Sequence, residues 1–159
     1  MSEARKNHCK QQLAHSRARL RTLLASLSES EWQTPVFTEG DTWTVATVVA
    51  HLVDSERGMS IHIHRIRKGE PTLPDGFDLN RWNAGVKKRV GDLSPASLMQ
   101  KLAETRAKTL EVMDSLSDED WDKTGRHASR GEITIEQYYE TIAAHEVLHT
   151  SDIRKALGR

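Results

Sequence analysis

The sequence predicts an all-α fold: a four-helix bundle with a long connection between its second and third helices. Apolar residues recur at three- and four-residue spacing through four long segments. Strand signals, meaning β-branched residues alternating with polar ones between turn residues, are almost absent. Gly69, Pro71 and Pro74 interrupt the chain between the second and third helical segments.

The first helix is expected from about Glu3 to Leu27, with Leu13, Leu20, Leu24 and Leu27 on one stripe. The second opens near TWT at 42–44 and runs through VATVVAHLVDSERGMSIHIHRIRK until Gly69. After the proline loop, residues 78–90 read as a short helix closed by Gly91. Ser94 as cap and Pro95 at the first helical position open a helix to about Leu116. The last helix is capped by Thr134 and ends near Leu157, before Gly158.

An internal echo relates the two halves. ASLSESEW at 25–32 resembles DSLSDEDW at 114–121, and each is followed by a loop, a glycine and an apolar helix carrying histidine. Ser28 with Glu31, and Ser117 with Asp120, have the spacing of a capping box. Trp32 and Trp121 then read as core plugs beneath the loops.

At 159 residues the chain has the size of one domain, expected to span residues 1–159. Its 23 basic and 23 acidic residues cancel, giving no overall field toward nucleic acid or an anionic membrane, so neither is an expected partner. Arg5, Lys6, Lys10, Arg17, Arg19 and Arg21 read as a solvated helix face; nucleic-acid binding by that face would fall steeply with salt. One cysteine, Cys9, excludes an intramolecular disulfide, and the polar start together with the absence of any run of about 18 apolar residues predicts a cytoplasmic protein.

The chemistry rests on histidine. In HEVLH at 145–149, His145 and His149 lie one turn apart, on the stripe that continues from Ile142. At that spacing Cβ atoms sit roughly 6 Å apart, and two imidazoles can chelate one ion. Buried side by side, they need either a metal or hydrogen-bond partners, and spacing alone leaves both open. His51, in the middle of the second helix, is the best third ligand. His62 lies roughly 16 Å further along the helix, so His62 and His64 read as part of its basic terminus. His8, His15 and His127 are expected to be solvated, although the loop of His127 precedes the last helix and could border a pocket. HEVLH also matches the zincin pattern, with Glu146 as base, but neither a downstream third ligand nor a peptide cleft is expected here.

WTVATVVAHLVDSE with His51, followed far downstream by AAHEVLHTSDIRKAL, resembles the DinB superfamily over nearly the whole chain. The resemblance implies a four-helix bundle, often a homodimer, with zinc or nickel held by His51, His145 and His149. It also implies small-molecule chemistry: a thiol-dependent transferase or isomerase using mycothiol, bacillithiol or glutathione, or a related hydrolase. Three neutral imidazoles leave such an ion its full charge and an open position at which a thiol or water is activated. Asp54, Thr141 and Asp152 are candidates for supporting the ligands or accepting protons. The competing expectation is a non-catalytic bundle with a structural or sensory metal, which a fourth protein ligand would favour.

Overall fold

The structure, a computed structural model, describes residues 2–159. Four long helices form a bundle: α1 (Ser2–Ala25), α2 (Val45–Arg67), α5 (Pro95–Asp114) and α6 (Ile135–Ala156). Helix α6 packs between α1 and α2, and α2 carries α5 on its other side. The connection between α2 and α5 holds two short helices, α3 (Leu79–Ala84) and α4 (Val86–Val90), where one was expected. Gly85, whose Cβ would overlap the Arg89 guanidinium, separates them, and Gly91 at positive φ ends the second.

Each half of the chain runs helix, 3₁₀ turn, β-hairpin, helix, so the internal echo is a structural repeat. Strands β1 (Pro35–Thr38) and β2 (Asp41–Thr44) pair antiparallel, as do β3 (Thr124–His127) and β4 (Gly131–Thr134). These hairpins correct the expectation of an almost strand-free chain. Four-residue strands are too short to show alternation, and they are held by packing rather than propensity. The residues 42–44 accordingly belong to β2 rather than to the second helix.

The local caps form as their spacing predicts. The Thr34 carbonyl accepts from Val45 N–H at the hairpin-to-helix junction, and the Thr44 hydroxyl accepts from Thr47 N–H. Thr134 and Gln137 form a full capping box on α6. Ser117 and Asp120 do the same on their 3₁₀ turn, and Ser28 and Glu31 exchange equivalent bonds. Trp32 and Trp121 are buried beneath these turns.

The core is divided. One apolar cluster gathers Leu20, Leu24, Val49, Leu98 and Ile153, and a second gathers Leu13, Ile63, Met113, Trp121 and Tyr139. Between them lies a buried ionic layer with one residue from each long helix: Arg17, Glu56, Arg106 and Glu146. Arg17 Nε donates to Glu146 Oε2 at 2.9 Å, and Arg106 Nε donates to Glu56 Oε2 at 3.0 Å. Arg17 is therefore not part of a solvated face. Its partners lie on other helices, so nothing in its local sequence distinguishes it from Arg19 and Arg21, which are exposed.

Among the described residues no helix is long and apolar enough to cross a membrane.

Candidate metal centre

His51 on α2 and His145 and His149 on α6 converge. The Nε2 atoms of His51 and His145 are 3.1 Å apart, and those of His145 and His149 are 2.9 Å apart. A fourth donor joins them that the sequence reading missed, Glu39. Its Oε1 lies 3.1 Å from His149 Nε2, 3.5 Å from His145 Nε2 and 3.6 Å from His51 Nε2.

Glu39 reaches the cluster from the tip of the first hairpin. Thr38 pairs with Asp41, leaving Glu39 and Gly40 as a two-residue turn, both at positive φ, 54° and 76°. Gly40 accepts that conformation freely, whereas for a glutamate it is strained by about 1–3 kcal/mol. The signal available in the sequence was the Glu-Gly pair between PVFT and DTWT, a hairpin turn with an acid where asparagine is usual.

Each histidine is oriented differently. His149 is fully buried, and its Nδ1 lies 3.1 Å from Asp152 Oδ2, which also accepts from the Thr38 hydroxyl at 2.9 Å. Asp152 thus ties the first hairpin to α6 and fixes the His149 ring. His51 Nδ1 has no hydrogen-bond partner among the described residues, and its ring is positioned instead by Trp43, with centroids 5.1 Å apart. His145 sits at the cavity edge, and burial pushes its imidazole down to about 4 despite the opposing effect of a hydrogen bond donated to the Glu39 carboxylate. The imidazoles of His145, His149 and His51, in that order, hold the Glu39 carboxyl far below the usual carboxylate range.

The donor set fits a divalent cation. His149 has a carboxylate beside each of its ring nitrogens, yet a neutral imidazole has one proton to offer. With Nδ1–H given to Asp152, the Nε2 lone pair faces both a carboxylate and another imidazole, an arrangement that a cation between them relieves. A tetrahedral ion at ligand distances of about 2.0–2.1 Å needs donors about 3.3 Å apart; the separations between His145 and the other three donors, and between Glu39 and the histidines, are 2.9 to 3.6 Å, and all four donor atoms lie within 4.8 Å of one another.

The other candidates separate clearly. Asp54 is engaged by Arg89, whose Nε and Nη2 reach its carboxylate at 3.1 and 2.8 Å. The Thr141 hydroxyl donates to the Gln137 carbonyl and accepts from Arg130. Neither contacts the cluster, although both line the cavity beside it. Glu146 is turned away into the ionic layer, where it also accepts from the Ser16 hydroxyl at 2.7 Å, so it cannot be the base of a zincin site. His127, expected to be solvated, is half-buried, and so is His62, expected as part of a basic helix terminus. Both pack edge-on to Tyr138 and line the same cavity, and burial pushes His62 down to about 4. His127 Nδ1 accepts from the backbone N–H groups of Ser129 and Arg130, which leaves the ring proton on Nε2.

That cavity, about 590 Å³, is bounded by the cluster on one side and by Leu73, Phe77, Leu79 and Trp82 of the long connection on the other. A four-helix bundle with three histidines and a glutamate converging beside a cavity defines a class of protein with a candidate metal site between its helices. The family model for the DinB superfamily matches residues 12–153, and the chain belongs to that superfamily.

Solved structures share the fold. YfiT from Bacillus subtilis, described as a probable metal-dependent hydrolase with an unusual four-helix bundle topology, is 23% identical with a TM-score of 0.71, covering 96% of this chain and 87% of that one. A mycothiol-dependent maleylpyruvate isomerase is 17% identical with a TM-score of 0.73, and the match covers 96% of this chain but 60% of the isomerase. The colibactin self-resistance protein ClbS, solved in complex with a double-stranded DNA, is 16% identical with a TM-score of 0.76, covering 97% of this chain and 96% of ClbS. No curated protein sequence matches the chain.

The ClbS complex corrects the expectation that no nucleic acid is involved with a chain of this kind. A neutral net charge sums over the whole molecule, whereas nucleic acid responds to the local field of one surface. Zero net charge therefore does not exclude such a partner.

If the centre holds an ion, Asp152→Asn is expected to weaken metal affinity about 10–100-fold, because the carboxylate that orients His149 and raises its basicity is lost. Competition with a chromogenic chelator measures this, and an unchanged affinity would remove Asp152 from the site.

Proposed function

We propose that the protein is a divalent-metal-dependent enzyme, using zinc or nickel, that joins a low-molecular-weight thiol through its sulfur to an electrophilic small molecule. The observation that carries this reading is the junction of the histidine cluster with the cavity. A purely structural ion is enclosed by its ligands, whereas here Glu39, His51 and His145 form part of a cavity wall. Its volume of about 590 Å³ falls within the range of small-molecule sites.

His51, His145 and His149 would hold the ion, with Asp152 fixing the His149 ring. When bound there, a divalent ion supplies Lewis acidity that favours the thiolate, the nucleophilic form of a thiol. Leu73, Phe77, Leu79 and Trp82 limit water around the reacting end, and His127 can present its Nε2–H to a substrate. In the transfer a sulfur–carbon bond forms, the bond to the leaving group breaks, and the thiol proton is released to solvent.

The thiol must come from outside the chain. Cys9 is buried, and burial with Glu136 and Glu140 nearby pushes its thiol up to about 12. Mycothiol, bacillithiol and glutathione are the candidates, the first by analogy with the mycothiol-dependent isomerase that shares the fold. Water in place of the thiol gives the hydrolase variant of the same reading.

One observation favours a second reading, a structural or sensory metal: Glu39 completes a four-donor set. Metal-loaded protein incubated with each thiol and with 1-chloro-2,4-dinitrobenzene, followed by absorbance, separates the two. Thioether formation that needs both thiol and metal, and that chelation abolishes, is the expected result. No turnover with any thiol, nor hydrolysis without one, would leave the structural or sensory reading.

A further inference from the structure

A second cavity, about 710 Å³, lies along α2 under the loop at 71–74. It is not separate from the first, since Asp54, Gly58, His62 and the 72–74 loop line both. Gly58 marks the passage. A glycine inside a helix costs about 1 kcal/mol relative to alanine, and here packing does not require it, because a Cβ at that position would meet nothing within 4 Å. The missing side chain leaves space common to the two cavities.

Beyond Gly58 the wall is cationic. Arg89 is neutralised by Asp54, and its guanidinium lies 3.8 Å from the centre of the Trp82 ring. Arg57 and Arg65 face the same cavity with no carboxylate partner among the described residues; Arg65 reaches only the Pro71 carbonyl, at 3.4 Å. Between them, one helical turn from each, sits Ile61, an exposed large apolar side chain. Two unpaired guanidiniums flanking an apolar strip, opposite an exposed tryptophan, match an organic acid with an apolar or aromatic body.

We infer that the passage at Gly58 leads from the metal centre to an anion subsite formed by Arg57 and Arg65, so that one ligand of the enzyme is an elongated organic carboxylate. Assigning the reacting end to the histidine cluster rests on the proposed function; the anion subsite does not. A guanidinium holds a carboxylate through paired, charge-assisted hydrogen bonds; Arg57 is half-buried, so its contact is less screened than at an open surface, while Arg65 is exposed at the rim. Both the thiol and its electrophile can carry such a group, and the two sources are distinguishable.

The test is calorimetric titration of metal-loaded protein with 4-phenylbutyrate and its neutral counterpart 4-phenylbutan-1-ol. Wild type should bind the acid at least about tenfold more tightly than the alcohol, and Arg57→Ala/Arg65→Ala should erase that preference. Gly58→Leu should weaken both probes by filling the passage, with its melting temperature showing that it folds. Equal affinity for acid and alcohol, acid binding undiminished in the double arginine variant, or no acid binding by wild type at millimolar concentration would overturn the subsite.

His51→Ala protein, tested in parallel, keeps the two readings apart. Acid binding retained there after metal is lost upholds the subsite independently of the metal, while metal retained in the arginine variant upholds the centre independently of the subsite. Titration with glutathione and with N-acetylcysteamine, a thiol without a carboxylate, then assigns the source. A glutathione preference that the arginine variant loses places the thiol's carboxylate at the subsite, and equal binding of the two thiols beside retained phenylbutyrate binding assigns it to the electrophile.

Discussion

Replacing Glu56 with alanine is expected to destabilise the fold by about 3–5 kcal/mol. Glu56 accepts from Arg106 Nε and Nη2, both at 3.0 Å, from the Thr109 hydroxyl at 2.7 Å and from Arg17 Nη2 at 3.3 Å. Without it, two buried guanidiniums share the single carboxylate of Glu146, in a layer with apolar clusters on either side. The penalty is that of uncompensated buried charge, which exceeds the net worth of the intact pairs. For a chain of this length the melting temperature should fall by roughly 6–20 °C. A loss under about 1 kcal/mol in urea unfolding would show that the layer is hydrated or tolerant of relaxation. Metal content should stay at the wild-type level, since Glu56 and Glu146 point away from the histidines.

The ionic layer also shows where sequence reading stops. Arg17 and Arg106 occupy equivalent places in the two halves, as do Glu56 and Glu146, yet the ion pairs they form, Arg17 with Glu146 and Arg106 with Glu56, join residues 129 and 50 positions apart. Read locally, Arg17 is one of six basic residues in the first helix, and Glu146 belongs to an HExxH pattern. Capping boxes, the proline-started helix and the tryptophan turns were legible because their chemistry closes within four residues. His145 and His149 were legible for the same reason, as a one-turn pair on the inward stripe. His51 needed the apolar run around it.

Glu39 was not legible, because two facts had to coincide: a hairpin too short to leave a strand signature, and a turn at positive φ that carries its carboxylate to the three histidines. Asp152 is a supporting candidate by its spacing from His149, and its Oδ2 lies 3.1 Å from His149 Nδ1. Asp54 had equally good spacing from His51, but its charge is taken by Arg89 from the long connection, an element whose position no local pattern encodes.

Alanine at His149 is expected to reduce bound metal from about one ion per chain to near zero, with the helical fold retained. His149 is the only donor in the cluster gripped at both nitrogens, between Asp152 and Glu39, and the only one fully buried. Its loss removes the ring that joins the carboxylates of the hairpin and of α6 into one site. The two apolar clusters and the ionic layer lie outside that site, so the bundle has the means to fold without it. In wild type, metal at a hundred times its dissociation constant should stabilise by about 2.7 kcal/mol and raise the melting temperature by roughly 5–10 °C. Neither His149→Ala nor His145→Ala should show that rise. Elemental analysis beside thermal melts reads both effects, and full metal content in either variant would exclude the three-histidine site. Glu39→Ala gives the complementary result: weaker metal binding, not its loss, because the three imidazoles remain. A Glu39 variant that binds no metal would make the glutamate an obligatory fourth ligand and shift the balance toward a structural ion, since the position a substrate would need is then one the protein cannot vacate.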